Sequence, residues 1–294
     1  MGGGKEGRGR IATFFFFFTL QISKSDMNDN NDNNNNNNND NNNDNNNSNS
    51  NSNSKDNDND NDNDNDNNND DSQLPLARVL VLISGNGSNL QALIDSTQAG
   101  LLAAQIVHVV SNRRDAYGLT RARAAGVPAT YHGLAPYKAR HPGGGGGGGG
   151  SVPEARAAYD ADLATLVLAQ RPQLIVCAGW MHILSLAFLD PIAAANVDII
   201  NLHPALPGQF DGANAIQRAY AAFKKGEIKH TGIMIHRVIT EVDKGQPLLV
   251  REVEIKEEDT LQDLEDRIHQ VEHIAIVEGA RIALEQRAKN IGDP

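Results

Sequence analysis

The chain has 294 residues and a formal net charge of −11, but the charge is unevenly distributed. Residues 26–71 are almost only Asn, Asp and Ser, with thirteen Asp against one Lys; residues 1–25 carry four Lys or Arg against one Glu, leaving residues 72–294 at −2. A nearly neutral remainder gives no electrostatic reason to expect nucleic acid or an anionic membrane as partner, and the lone Cys177 excludes an intramolecular disulfide and a Cys-rich zinc site.

Taken in order, residues 1–73 read as a disordered, low-complexity leader, because after Met27 the Asn, Asp and Ser tract carries no aromatic or aliphatic side chain to bury against its ordering entropy. The apolar run Ile11–Leu20 behind Lys5, Arg8 and Arg10 is too short to span a bilayer and is followed by no A-x-A-like cleavage site, so a cytoplasmic address is expected. The folded domain is expected over about 74–290, long enough to bury one α/β core. Its first strand is Arg78–Ser84 and its first helix Leu90–Thr97; Gln105–Ser111, Tyr117–Ala125 and Ala129–Tyr131 follow as strand, helix and short strand. Gly143–Gly150 cannot build a packed element, so about 142–152 reads as a flexible insertion. A helix over Pro153–Gln170, strands at Leu174–Ala178 and Asp198–Leu202 and a short helix near Leu186–Ala195 come next. The chain then gives a helix over Gly212–Lys225, a strand pair at Thr231–Ile239 and Pro247–Ile255, and a closing helix over Thr260–Lys289. This alternation predicts an α/β fold: a doubly wound, mostly parallel sheet with helices on both faces and its ligands beyond the carboxyl ends of the strands.

Three segments at those ends carry chemistry. Gly85-Asn86-Gly87-Ser88-Asn89 joins the first strand to the first helix; Ser88 and Gln91 have the spacing of a capping box, and free N–H groups at a helix start favour an anion. Leu90 replaces the third glycine of a dinucleotide fingerprint, and Ser111-Asn112-Arg113-Arg114 stands where its acidic residue belongs, so a single phosphate fits better than a nicotinamide cofactor. The bland alternative is a tight turn with an ordinary cap.

Asn201 and His203 are two residues apart on one strand and so share a face, with Pro204 ending the strand at the rim. An amide that donates to an oxyanion and an imidazolium that donates a proton suit acyl transfer. Asp243, in the loop Glu241–Pro247, would raise the pKa of His203 if the two met. By themselves, Asn-x-His also describes a hydrogen-bonded strand end and Asp243 a turn residue.

Five segments in order narrow these alternatives. SGNGSNLQALID (84–95), SNRRDAYGLTRARAAGVP (111–128), AGWMHILS (178–185), INLHPALPG (200–208) and TGIMIHRVITEVDKGQPLL (231–249) resemble the successive signatures of the glycinamide ribonucleotide transformylases, in the formyltransferase family, over about Arg78–Arg287. The resemblance implies the fold of the formyltransferase N-terminal domain and formyl transfer from 10-formyltetrahydrofolate to the amine of 5-phosphoribosylglycinamide, in purine (IMP) biosynthesis, with no metal. Small molecules are then the expected partners, with no nucleic acid and no membrane, acting on a monomer or homodimer.

By resemblance, Asn201, His203 and Asp243 are the catalytic residues; Gly87, Ser88 and Asn89 hold the phosphate, and Glu272 lies near the glycinamide end. Arg156, Met181, His182, Ile183, Leu184 and Asn201 contact the folate, and His236 is a structural hydrogen-bonding residue. His182 stands where an arginine is usual, and His203-Pro-Ala-Leu-Pro-Gly208 is one residue shorter than the common bacterial form. Methionyl-tRNA formyltransferases resemble this fold but add a tRNA-binding C-terminal domain, and formyltetrahydrofolate hydrolases add a folded N-terminal one. A scaffold built on the Asn-rich tract is the alternative outside enzymes.

Overall fold

The computed structural model describes residues 75–141 and 152–292. The expectations for the leader and for the glycine run lie outside the described residues.

Among the described residues, fourteen elements follow one another: β1 (Ala77–Ile83), α1 (Ser88–Gln98), β2 (Ala104–Ser111), α2 (Tyr117–Ala124), β3 (Ala129–Tyr131), α3 (Ala135–Arg140), α4 (Val152–Ala169), β4 (Leu174–Cys177), α5 (Leu186–Ala194), β5 (Asp198–His203), α6 (Ala215–Lys224), β6 (His230–Arg237), β7 (Pro247–Glu254) and α7 (Leu261–Gly292). The seven strands form one sheet in the order β3-β2-β1-β4-β5-β6-β7. The first five strands of that order pair in parallel, whereas β6 and β7 run antiparallel to their neighbours.

Strand β1 shows why both faces are covered. Its run Val79–Ile83 is buried throughout, and successive side chains enter different cores. Val79, Val81 and Ile83 pack with Leu90, Leu93 and Ile94 of α1 and with Leu264, Ile268 and Ile276 of α7. Leu80 and Leu82 pack with Tyr159, Leu163 and Val167 of α4 and with Phe188 and Ile192 of α5. A continuous apolar strand is therefore the signature of a sheet with two covered faces.

The expected strands and helices are all present, with ends shifted by up to three residues; α3 is the unexpected one. Its six residues are too few to display a helical period, and it is held by tertiary contacts instead. Tyr137 is buried against Tyr159 at a ring separation of 5.4 Å and donates its hydroxyl proton to Asp162 of α4 at 2.7 Å.

The order reverses between β1 and β4: from β1 the chain first winds outward through β2 and β3, then returns to add β4 and β5 on the other side. A crevice opens at such a switch point because the connections leave in opposite directions. The loops after β1, β4 and β5 meet there.

Candidate active site

The crevice is a cavity of about 820 Å³, near the top of the usual range for small-molecule sites. One wall is the glycine loop, Gly85–Asn89; another is the segment Ala178–Leu184 after β4; the floor carries Asn201 and His203, and the far side is the loop from Val238 to Asp243.

At the glycine loop, Gly87 has φ +77 and immediately precedes α1. A Cβ on Gly87 would stand 2.6 Å from the backbone Cα of Gly118, which donates its N–H to the Gly85 carbonyl at 3.1 Å. The loop is thus pressed against the start of α2, and only a glycine fits. Arg121 of α2 braces it further, donating to the Asn86 carbonyl at 3.0 Å and to the Asn86 side chain at 3.1 Å.

The capping box expected of Ser88 and Gln91 does not form. Gly87 takes the N-cap position, so Ser88 is already helical and makes no side-chain cap, while the Gln91 side chain binds Asp95 and Arg121. The first-turn N–H groups consequently have no side-chain cap, the condition under which a helix start can take an anion. Only the side chain of Asn89 is turned away from such an anion, its amide donating to Glu272 at 3.0 Å inside the fold, while its backbone N–H stays in the first turn of α1. Glu272 is only 5% exposed, and burial raises its pKa against the lowering effects of Asn89 and His269.

Substituting Gly87 by alanine should raise KM for a phosphate-bearing substrate at least about tenfold, since both the positive φ and the contact with Gly118 oppose a Cβ. KM for the second substrate should change less than twofold; steady-state kinetics with each substrate varied in turn would check this.

At the floor, β5 places Asn201 and His203 on one face as their spacing requires, and Pro204 ends the strand. The antiparallel neighbour β6 sets His236 opposite Asn201. Asp243 arrives from the loop between β6 and β7, with φ +56, a conformation that Asp and Asn adopt more readily than other side chains. Gly245 permits this loop to fold back, because a Cβ there would stand 1.6 Å from the Arg237 carbonyl oxygen.

The resulting cluster is tight. Asp243 Oδ2 lies 3.4 Å from His203 Nδ1 and accepts the Gly212 N–H at 2.7 Å. Asn201 Nδ2 donates to His236 Nε2 at 3.1 Å and to Asp243 Oδ1 at 3.4 Å. His236 Nδ1 donates to the Arg237 carbonyl at 2.9 Å, which leaves its Nε2 as the acceptor for Asn201. His236 is 2% exposed, with both ring nitrogens engaged by Asn201 and the Arg237 carbonyl.

The protonation of His203 departs from expectation. Its pKa lies below the ordinary imidazole value: burial disfavours the charged ring and outweighs the raising effects of Asp243 and of the Gln209 carbonyl, 3.3 Å from Nε2. Proximity to a carboxylate is what the sequence suggested; depth of burial is what it could not. Asp243, in contrast, stays ionised. Burial pushes its pKa up, but the hydrogen bond that it accepts from the Gly212 N–H, together with the charge that His203 can carry, brings it below the usual carboxylate range.

Beyond β4, Met181, His182, Ile183 and Leu184 all line the cavity. Met181 and Ile183 are 73% and 61% exposed, offering an apolar surface to a ligand. His182 points away from it: its Nε2 is 3.0 Å from Oδ1 of the fully buried Asp160. Arg156 does not line the cavity but donates to the Ile183 carbonyl at 2.8 Å, on α4 behind the loop.

The structure gathers Gly87, Ser88, Asn89, Met181, His182, Ile183, Leu184, Asn201, His203, Asp243 and Glu272 around one cavity, whereas Arg156, expected among the folate contacts, does not line it and instead holds the Ile183 carbonyl from behind. Sequence reasoning missed Gly212, whose N–H fixes Asp243, and Ser84, whose hydroxyl accepts the Met181 N–H at 2.7 Å. It also missed Asp160, whose signal was a carboxylate set one turn after Arg156 within an otherwise apolar helix face.

Among the described residues, no helix is long and apolar enough to cross a membrane. A family model described as formyl transferase matches residues 77–279. The phosphoribosylglycinamide formyltransferase of Schizosaccharomyces pombe is 49% identical over 205 residues, which is 69% of this chain and 94% of the relative. That of Saccharomyces cerevisiae is 46% identical over 218 residues, 72% of this chain and 100% of the relative. Among solved structures, glycinamide ribonucleotide transformylase 1 from Symbiobacterium toebii superposes with a TM-score of 0.60 at 34% identity, covering 71% of this chain and 88% of that one. With a family match across most of the chain and relatives covered almost end to end, the chain belongs to the formyl transferase family, among the phosphoribosylglycinamide formyltransferases.

Proposed function

We propose that the chain transfers the formyl group of 10-formyltetrahydrofolate to the amine of 5-phosphoribosylglycinamide, yielding the formylglycinamide ribonucleotide of purine biosynthesis and tetrahydrofolate. The observation that carries this reading is the convergence of Asn201, His203 and Asp243 at contacts of 3.4 Å in a cavity that the start of helix α1 and the apolar loop Met181–Leu184 also line.

The roles follow from the chemistry. The phosphate of the ribonucleotide rests on the N–H groups of Gly87, Ser88 and Asn89, where the positive end of α1 favours an anion. Its amine reaches toward Glu272 and the floor. The folate lies against Met181, Ile183 and Leu184 with its formyl carbonyl over Asn201 and His203.

The amine nitrogen attacks the formyl carbon, and the carbonyl oxygen gains negative charge. Asn201 and the protonated His203 donate to that oxygen; loss of one such donor costs about 3–4 kcal/mol of barrier. Donation by Asn201 requires its amide to exchange its contact with His236 or Asp243 for one with substrate. Asp243, already ionised, takes the amine proton as the tetrahedral carbon forms. His203 then delivers its proton to the departing folate nitrogen as the C–N bond breaks.

Burial lowers the proton affinity of His203, and the anionic charge developing above it restores it. The proton that Asp243 takes from the amine passes to His203 Nδ1, 3.4 Å away, and from the ring to the departing nitrogen, so the pair ends as it began. An absorbance assay on the purified chain tests the reading: formation of tetrahydrofolate strictly dependent on the ribonucleotide is expected. Turnover that proceeds equally with water in place of the amine would overturn it.

A further inference from the structure

The segment after β4 is anchored at both ends and in the middle, and most of the anchors come from one helix. Asp160 of α4 is completely buried, yet it is a carboxylate. Its Oδ1 accepts from His182 Nε2 at 3.0 Å and its Oδ2 accepts the Ser185 N–H at 3.0 Å. One turn earlier, Arg156 donates to the Ile183 carbonyl at 2.8 Å. Between them, the Tyr159 ring lies 4.8 Å from that of His182. On the opposite side, Ser84 at the end of β1 accepts the Met181 N–H. Residues 181, 182, 183 and 185 are thus each tied down, while the side chains of Met181 and Ile183 are left exposed to the cavity.

A buried carboxylate is a poor device for stability alone, since a well-packed apolar side chain in its place is often as stabilising. Its two oxygens, however, fix two loop positions relative to each other with a geometry no apolar contact can impose. Contacts with His182 and Ser185 also keep Asp160 ionised, outweighing the effect of burial. His182 is consumed by this contact, and the cavity sees the backbone and the apolar neighbours that it holds in place.

We infer that Asp160 is a positioning residue for the formyl-donor half of the cavity, acting through His182 and Ser185 to hold the segment 179–185 in the conformation that receives the folate. This rests on the folate reading of the Met181–Leu184 wall. Displacements of about 1 Å in such a support are enough to lower turnover strongly without touching the reacting groups.

Trp180 is the sole tryptophan of the chain, lines the cavity and has its ring 5.9 Å from that of His182, so its fluorescence reports on this wall. Titration with tetrahydrofolate, alongside steady-state kinetics, gives the test. Asp160→Ala should raise Kd for tetrahydrofolate and KM for the formyl donor at least about tenfold, with KM for the ribonucleotide within about twofold of wild type. His182→Ala, which tests the same tie from the loop side if Asp160→Ala fails to fold, should show the same folate-specific loss.

The double variant should lose no more than about twofold beyond the worse single variant, because removal of Asp160 already breaks the contact through which His182 acts. Asp160→Asn should recover most of the affinity, since its carbonyl can accept from Ser185 and its amide can donate to His182. Unchanged folate affinity in both single variants, equal losses for both substrates, or strictly additive effects would each overturn the assignment. A wild-type chain that fails to bind tetrahydrofolate would instead remove the folate reading, and this inference with it.

Discussion

Replacing His203 by alanine should lower kcat by about 10²-fold or more, the range expected when a general acid is removed, while leaving KM for the ribonucleotide within a few-fold. The imidazole is 3% exposed, stands against Asp243 and lies beside Asn201 on the cavity floor. Its removal takes away both the charged donor to the oxyanion and the proton for the leaving nitrogen, so the loss should fall on kcat. Folding should survive. The ring sits 3.3 Å from the Gln209 carbonyl and 3.4 Å from Asp243, both long for hydrogen bonds, and without it Asp243 keeps the Gly212 N–H at 2.7 Å and Asn201 at 3.4 Å. A cost of about 1–2 kcal/mol is expected, visible as a few degrees in Tm. Stopped-flow or steady-state absorbance measurements, with a thermal melt as control, would check it. Turnover in this variant at the wild-type rate would remove the mechanism.

Asp243→Asn should give a loss of comparable size, again about 10²-fold or more, for a different reason. Asparagine tolerates the left-handed backbone at this position, and its carbonyl can still accept the Gly212 N–H, so the loop should keep its shape. What disappears is the negative charge. The amine proton then has no carboxylate to receive it, and His203 loses the largest of the effects that raise its pKa.

The sign can be followed directly. His203 already lies below the ordinary value because of burial, and without Asp243 it moves lower still. Its protonated fraction near neutral pH therefore falls. Titration of the His203 ring followed by NMR should shift to lower pH in Asp243→Asn. A titration unchanged from wild type would show that the carboxylate does not act on the imidazole, whatever happens to the rate.

Much of the architecture was legible in local pattern. The run Arg78–Ser84 followed by Gly-Asn-Gly-Ser-Asn could hardly be other than a buried parallel strand feeding a helix, because an apolar run without alternation needs cover on both faces. The spacing of Asn201 and His203, with Pro204 after them, fixed a shared face and a strand end before any partner was known. Other features had no local signature. Helix α3 is too short to show a period and exists because Tyr137 finds Tyr159 and Asp162. Ser88 and Gln91 have capping-box spacing, but the approach of Gly118 to Gly87 sets the helix start elsewhere.

By itself the sequence determined the order and type of the main elements, the chemistry available at three strand ends, and the near-neutral charge of residues 72–294. Only the tertiary structure decided that Asp243 crosses from a loop 40 residues beyond His203 to stand 3.4 Å from it, that Asn89 and His182 face buried carboxylates, and that His203 is too deep to hold its proton unaided. The physical reason is common to these cases. Element type follows from side chains a few positions apart, whereas a pKa and a hydrogen-bond partner depend on groups brought close, and on water excluded, by folding of distant segments.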